Sequence, residues 1–140
     1  MKYQIIIPIE YKPATRPRVT RYGTYYSKSY QHFRDQLEEW YKTQKPKEKL
    51  EGPISLSVSF EQRVPKYLSK KKQKELLSQL YCTNRNDLDN LCKRLMDFLQ
   101  GKYFEDDRQI VILKAEKLWV DKNPQTNIIL TNNLLKEDQK

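Results

Sequence analysis

Between Asn86 and Lys93 the chain reads Asn-Asp-Leu-Asp-Asn-Leu-Cys-Lys. Asp87 and Asp89 stand two apart at the entry to an apolar-periodic stretch, where an extended or capping backbone points side chains at i and i+2 the same way. Two carboxylates held close repel unless a proton or a cation lies between them. Lys93 follows Asp89 by four residues, one helical turn along the same face, and Asp97 follows one turn later. Such a set can hold a divalent cation and aim an ammonium at an anion beside it. Each member also has a plainer use. Asp87 or Asp89 can cap the helix that follows, and Lys93 can pair with Asp89 and Asp97 for a few tenths of a kcal/mol. An EF-hand loop is excluded, because Leu91 stands where that pattern wants Asp or Asn and its glycine is missing.

A second acidic group, Glu105-Asp106-Asp107, follows Gly101-Lys102-Tyr103-Phe104 and precedes a strand that starts near Gln109. Three consecutive acids are costly to hold together without a cation, although a polar turn also accommodates them. A helix followed by a returning strand can bring this group back beside the helix region.

Charge mapping places these acids in a wider field. The 140 residues hold 27 Lys+Arg against 18 Asp+Glu, a net charge of +9. Residues 1–30 carry +5 and residues 61–86 again +5, while residues 87–107 reverse to −3. A basic field suits a polyanion, since phosphate contacts dominate nucleic-acid affinity. Carboxylates repel phosphates, so the acidic island calls either for a divalent metal bridging carboxylate to phosphate or for a solvated helix end. Two cysteines, Cys82 and Cys92, and one histidine, His32, build neither a four-ligand zinc site nor a disulfide framework. No apolar run approaches the roughly 18 residues of a membrane span, and the opening residues are too soon broken by Pro8 for a signal peptide. The expectation is a cytoplasmic protein with free thiols and no membrane partner.

The elements that must position these residues follow from periodicity. Residues 3–9 read as a strand, Val19–Tyr26 as a hairpin around Gly23, and 28–43 as a helix with Tyr30, Phe33, Leu37, Trp40 and Tyr41 inward. Ile54, Leu56, Val58 and Phe60 alternate with Ser55, Ser57, Ser59 and Glu61 as a half-buried strand. Ser69 caps a helix from Lys70 to about Leu80, with Leu76, Leu77 and Leu80 inward; its Lys70-Lys71-Lys72 run reads as a solvated face. A helix over 88–100 shows Leu91, Leu95, Phe98 and Leu99 on one face and stops at Gly101. Strands follow at 109–119, with Val111, Leu113, Ala115 and Trp119 on one face, and at 125–130. These elements predict one α+β domain over residues 1–130, a two-layer sandwich of a mixed sheet with helices packed on it, and a loosely held tail at 131–140.

Residues 86–93, then Leu-Met-Asp-Phe-Leu-Gln-Gly (95–101), then Phe-Glu-Asp-Asp-Arg-Gln-Ile (104–110), together resemble the RusA family of Holliday junction resolvases. So do Pro-Ala-Thr-Arg-Pro-Arg (13–18) and Tyr-Gly-Thr-Tyr-Tyr (22–26), and the resemblance spans roughly residues 3–130. Phe104 departs from the Trp common there, and Thr83–Asn86 from a frequently basic and Pro-containing stretch. The resemblance implies an α+β homodimer that resolves four-way DNA junctions by paired, Mg²⁺-dependent nicks in recombination and repair. Mn²⁺ is a possible substitute, and no small-molecule cofactor is implied. Residue by residue, it implies metal-binding roles for Asp87, Asp89 and Asp107, a catalytic role for Lys93, and at most a supporting role for Asp106. Arg16, Arg18 and Arg21, with Lys93, would hold the DNA backbone. The competing reading is a non-catalytic, basic nucleic-acid-binding module whose acids are caps.

Overall fold

In a computed structural model that describes residues 1–13, 18–25, 27–46 and 48–134, the apolar runs become the elements they announce. In chain order these are β1 (Lys2–Ile7), β2 (Arg18–Thr20), β3 (Gly23–Tyr25), α1 (Lys28–Gln44), β4 (Ile54–Arg63), α2 (Lys70–Gln79), α3 (Leu88–Leu99), β5 (Ile110–Val120) and β6 (Thr126–Thr131), with a single 3₁₀ turn at Asp107–Gln109. Four strands form one sheet in the order β1-β6-β4-β5; β4 and β5 run parallel and the other neighbours antiparallel. Parallel neighbours need a crossover, and α2 and α3 supply it. The sheet is therefore mixed, as expected. β2 and β3 form a separate hairpin.

The alternation in β4 settles which face is covered. Ile54, Leu56, Val58, Phe60 and Gln62 are buried, and the serines between them are half-buried. Onto this face pack Phe33 and Leu37 of α1 and Leu91, Cys92, Leu95 and Leu99 of α3, in one core with Ile5, Ile7, Ile128 and Leu130. Helices thus form one layer and the sheet the other. Ser27 and Ser69 cap α1 and α2 by accepting from the N–H groups of Tyr30 and Lys72 at 3.2 and 3.1 Å.

Two expectations about faces are corrected. Leu80 is 48 % exposed rather than inward, because its φ of 68° turns the chain away after α2. Val111 does not share the face of Ala115 and Trp119. Pairing with β4 steps from Ile54–Ile110 to Ser55–Ile112, so Val111 is an extra, bulged residue that breaks the alternation.

The α3–β5 connection is tied to the C-terminal end of α3. Gly101, at φ 82°, turns the chain; its N–H donates to the Phe104 carbonyl, and Leu50 N–H donates to the Tyr103 carbonyl. The Phe104 ring is fully buried. Phe104→Ala should cost about 3–5 kcal/mol, the usual range for a buried phenylalanine. Urea unfolding measures this, and a loss below about 1 kcal/mol would mean that the ring does not anchor the connection.

Candidate functional site

The segment before α3 is built by two inward polar side chains, one buried and one half-buried. Gln62 occupies the last inward position of β4 and is fully buried. Its Oε1 accepts from Asn84 Nδ2 at 3.0 Å and from Asn86 Nδ2 at 2.9 Å. Lys117 of β5 donates from Nζ to the Asn84 carbonyl, to Asn84 Oδ1 and to the Asn86 carbonyl at 3.2, 3.0 and 2.6 Å. All three donors of the ammonium therefore bind one loop. Cys82 N–H adds a bond to the Lys117 carbonyl. This scaffold delivers the chain to Asp87 with a fixed backbone.

Asp87 takes the N-cap position of α3 with extended backbone (φ −66°, ψ 130°), yet its side chain makes no capping hydrogen bond. Asp89 lies in the first turn, and both residues are exposed. The simpler role for Asp87, a side-chain cap, is not used. Lys93 is exposed one turn along. Among the described residues it has no salt bridge to Asp89 or Asp97, so its ion-pair role is not used either. Two carboxylates and an ammonium thus face solvent at one end of α3. Behind them, burial pushes the Cys92 thiol up to about 11, and the charge of Asp89 adds to the effect. Burial likewise raises the Cys82 thiol. Both stay protonated at neutral pH, and neither is in a disulfide.

Asp107 stands elsewhere in the chain. Its N–H donates to Gln100 Oε1 at 3.0 Å, and Gln100 is the C-cap of α3. The helix has 12 residues, which separates its two ends by about 18 Å. The pairing of β5 agrees: Lys117 sits by Asn86, while Ile110, at the other end of the strand, follows the Asp107 turn. Among the described residues no three Asp, Glu, His or Cys side chains group as a metal-binding set. Within one chain, therefore, Asp87, Asp89 and Lys93 lie along the first half of α3, and Asp107 lies beside its other end.

The acids beside Asp107 are explained without a cation. Glu105 pairs with Lys49 at 2.8 Å. Asp106 caps the 3₁₀ turn, accepting from Arg108 N–H at 2.9 Å and Arg108 Nε at 3.1 Å; the backbone bond from Arg108 lowers its carboxyl pKa. Gln109 closes the turn, accepting from the N–H groups of Glu105 and Asp106 and donating to the Leu50 and Gly52 carbonyls, all at 3.0 Å. The polar-turn reading holds for Glu105 and Asp106, and Asp107 is left with an exposed position.

Of the basic arm, Arg16 lies outside the described residues and Arg18 opens β2. Arg21 is exposed in the turn of the hairpin, where Nη2 donates to the Tyr22 hydroxyl at 2.8 Å and the guanidinium lies 4.9 Å from the ring centre. His32 is exposed on α1. Among the described residues no helix is long and apolar enough to cross a membrane.

Sequence reading missed Gln62 and Lys117, although both occupy inward positions of alternating strands. A polar residue at an apolar register position signals a buried partner. Lys117→Met keeps length and removes all three bonds. Amide exchange at residues 83–88 should accelerate at least roughly tenfold, since bonds to a charged donor are each worth about 1.5–3 kcal/mol. Unchanged exchange would remove Lys117 from the scaffold.

A family profile described as endodeoxyribonuclease RusA matches residues 8–131. The chain is 43 % identical over 82 residues to a protein named crossover junction endodeoxyribonuclease RusA from Lactococcus phage r1t, a stretch covering 56 % of each. It is 32 % identical over 89 residues to the uncharacterized protein YqaN of Bacillus subtilis (strain 168), covering 61 % of this chain and 62 % of the relative. The matches thus span less than two thirds of the length of either relative.

Proposed function

The chain belongs to the RusA family of endodeoxyribonucleases, and from that premise we propose that it is a metal-dependent endonuclease that resolves four-way DNA junctions by paired symmetric nicks in recombination and repair. The observation that carries this reading is the N-terminal end of α3. There the Asp87 side chain makes no cap, and among the described residues the side chains of Asp87, Asp89 and Lys93 make no hydrogen bond or ion pair. A cap-only role would use these side chains internally.

The pair fits a hard divalent cation. Mg²⁺ is usually held by one or two carboxylates plus substrate phosphate and water, without a complete protein cage. Bound there, the metal would supply an acidified water and neutralise phosphate charge. Asp87 and Asp89 would supply its carboxylate oxygen ligands, at an end fixed by Gln62 and Lys117. Lys93, one turn along, places its ammonium beside the scissile phosphate and stabilises charge on its non-bridging oxygens. Arg16, Arg18 and Arg21 hold the DNA backbone and set its register. Mg²⁺ is the expected ion and Mn²⁺ its substitute; the cytoplasm, where nucleic acid and Mg²⁺ coexist, is the expected compartment.

Asp107 enters this site from a second copy. A two-fold axis across α3 reverses the helix and sets the Gln100–Asp107 end of one copy beside the Asp87 end of the other. The same axis supplies two sites for two nicks, so homodimerisation and paired cleavage have one geometric cause.

Chelation tests the reading. Adding EDTA should stop cleavage of a labelled four-way junction without releasing the DNA. Cleavage that continues in chelator would contradict a metal-based site.

A further inference from the structure

The nuclease reading leaves α2 unexplained. None of its ten residues is buried. Leu76 and Leu77 rest partly buried against the small cluster of Val64, Cys82 and Trp119, and the remaining surface faces water. A helix so exposed contributes little packing to the fold that carries it. Lys70 and Lys74 lie one turn apart with Lys71 beside them, and among the described residues none of the three has an acidic partner; only Lys72 is paired, with Glu75 at 3.6 Å.

Aromatic and apolar side chains flank these lysines. Tyr67 precedes the helix and is 87 % exposed. After it, Leu80 adopts φ 68° and ψ −59°, with Tyr81 N–H donating to the Gln79 carbonyl at 2.8 Å. This is a γ-turn, strained for a residue with a side chain. It presents Leu80, and it presents Tyr81 at 60 % exposure. The backbone is held in place: Trp119 N–H donates to the Leu80 carbonyl at 2.8 Å, Cys82 N–H to the Lys117 carbonyl at 3.0 Å, and Tyr81 bridges Leu118. Lys117 also fixes the loop that enters Asp87, so the turn and the Asp pair share one end of the sheet.

We propose that α2 and the Leu80–Tyr81 turn form a second DNA-binding surface, separate from the N-terminal arm, in which Lys70, Lys71 and Lys74 hold backbone phosphates and Tyr81 stacks on a base exposed at the branch point. The inference rests on the proposed nuclease reading for its partner. Charge decides for nucleic acid: residues 66–81 hold five lysines against one acid, which suits a phosphate chain. Exposed rings interleaved with cations suit unpaired bases, which stack on aromatic faces regardless of sequence.

The test is binding of a fluorescent four-way junction without divalent metal, over a salt series. Lys70→Gln/Lys74→Gln should weaken binding at least tenfold and lower the slope of log affinity against log salt by about 2, one for each phosphate contact. The matched control, Lys42→Gln/Lys45→Gln at the end of α1, should leave both nearly unchanged. Tyr81→Ala should weaken junction binding severalfold and Tyr81→Phe should not, because the hydroxyl takes no part in stacking. The ring is exposed and only the backbone bridges β5, so the fold survives. Unchanged affinity and slope in Lys70→Gln/Lys74→Gln, as a site for an acidic protein would give, or equal losses in the control, would overturn the proposal. Wild-type cleavage in Mg²⁺ is read separately. Binding through this surface without nicking would sink the nuclease reading alone, and nicking with unaffected variants would sink the surface alone.

Discussion

Asp89→Asn should lower nicking of a four-way junction by about 1000-fold, or about 4 kcal/mol of transition-state stabilisation, while junction binding is kept or tightened. The carboxylate is exposed and engaged by no described residue, so its amide keeps the fold and removes only a charge. That charge is what a divalent cation needs and what a phosphate resists. Cleavage assay and gel retardation on one preparation separate the two effects. A variant that binds and cuts as well as wild type would take Asp89 out of the metal site.

The second large effect concerns Asp107. Alone, Asp107→Asn should be as inactive as Asp89→Asn. Mixed and allowed to exchange, the two inactive proteins should recover cleavage. In a mixed dimer one site carries both substitutions, and the other takes an intact pair from one copy and an intact Asp107 from its mate. Random exchange leaves about a quarter of the wild-type number of sites intact, and these give single nicks instead of paired ones. If Asp107 served the pair of its own protomer, every site in the mixture would carry one defect and no activity would return. The about 18 Å length of α3 is the reason to expect recovery.

The same helix shows where a linear reading stops. Its boundaries, its buried Leu91, Leu95 and Leu99, and the stop at Gly101 were all legible, because periodicity and terminators are local. That Asp107 ends beside Gln100 and away from Asp87 was not, because it depends on a tight connection closed by the bond from Gly101 N–H to the Phe104 carbonyl. Leu80 failed for another reason. Its spacing is that of an inward helical position, but a backbone turn with positive φ overrides spacing. At Val111 one bulged residue shifts the alternation that strand reading assumes. Cys92 is buried on α3, where an unpaired thiol packs as a small hydrophobe beside the leucines. Gln62 and Lys117 are the instructive omissions. Alternation alone places both inward, and only the assumption that inward means apolar hid the scaffold that holds the acidic pair.

Charge is the other quantity that gained a place. The two basic segments of the chain include the β2–β3 hairpin, with Arg18 and Arg21, and α2, and the acidic stretch divides into an open pair at one end of α3 and a largely self-satisfied turn at the other. The proposed metal chemistry therefore uses two of the six acids between residues 87 and 107 of one chain, and a third only from a second copy.

The most direct measurement is nick mapping on a four-way junction labelled on each strand in turn, incubated with wild-type protein and Mg²⁺ beside a linear duplex of the same sequence. The expected result is two nicks at symmetry-related positions in opposed strands of the junction, absent from the duplex and absent without metal. A junction that is bound yet left intact with Mg²⁺ and with Mn²⁺, or a duplex cut as readily as the junction, would contradict the account.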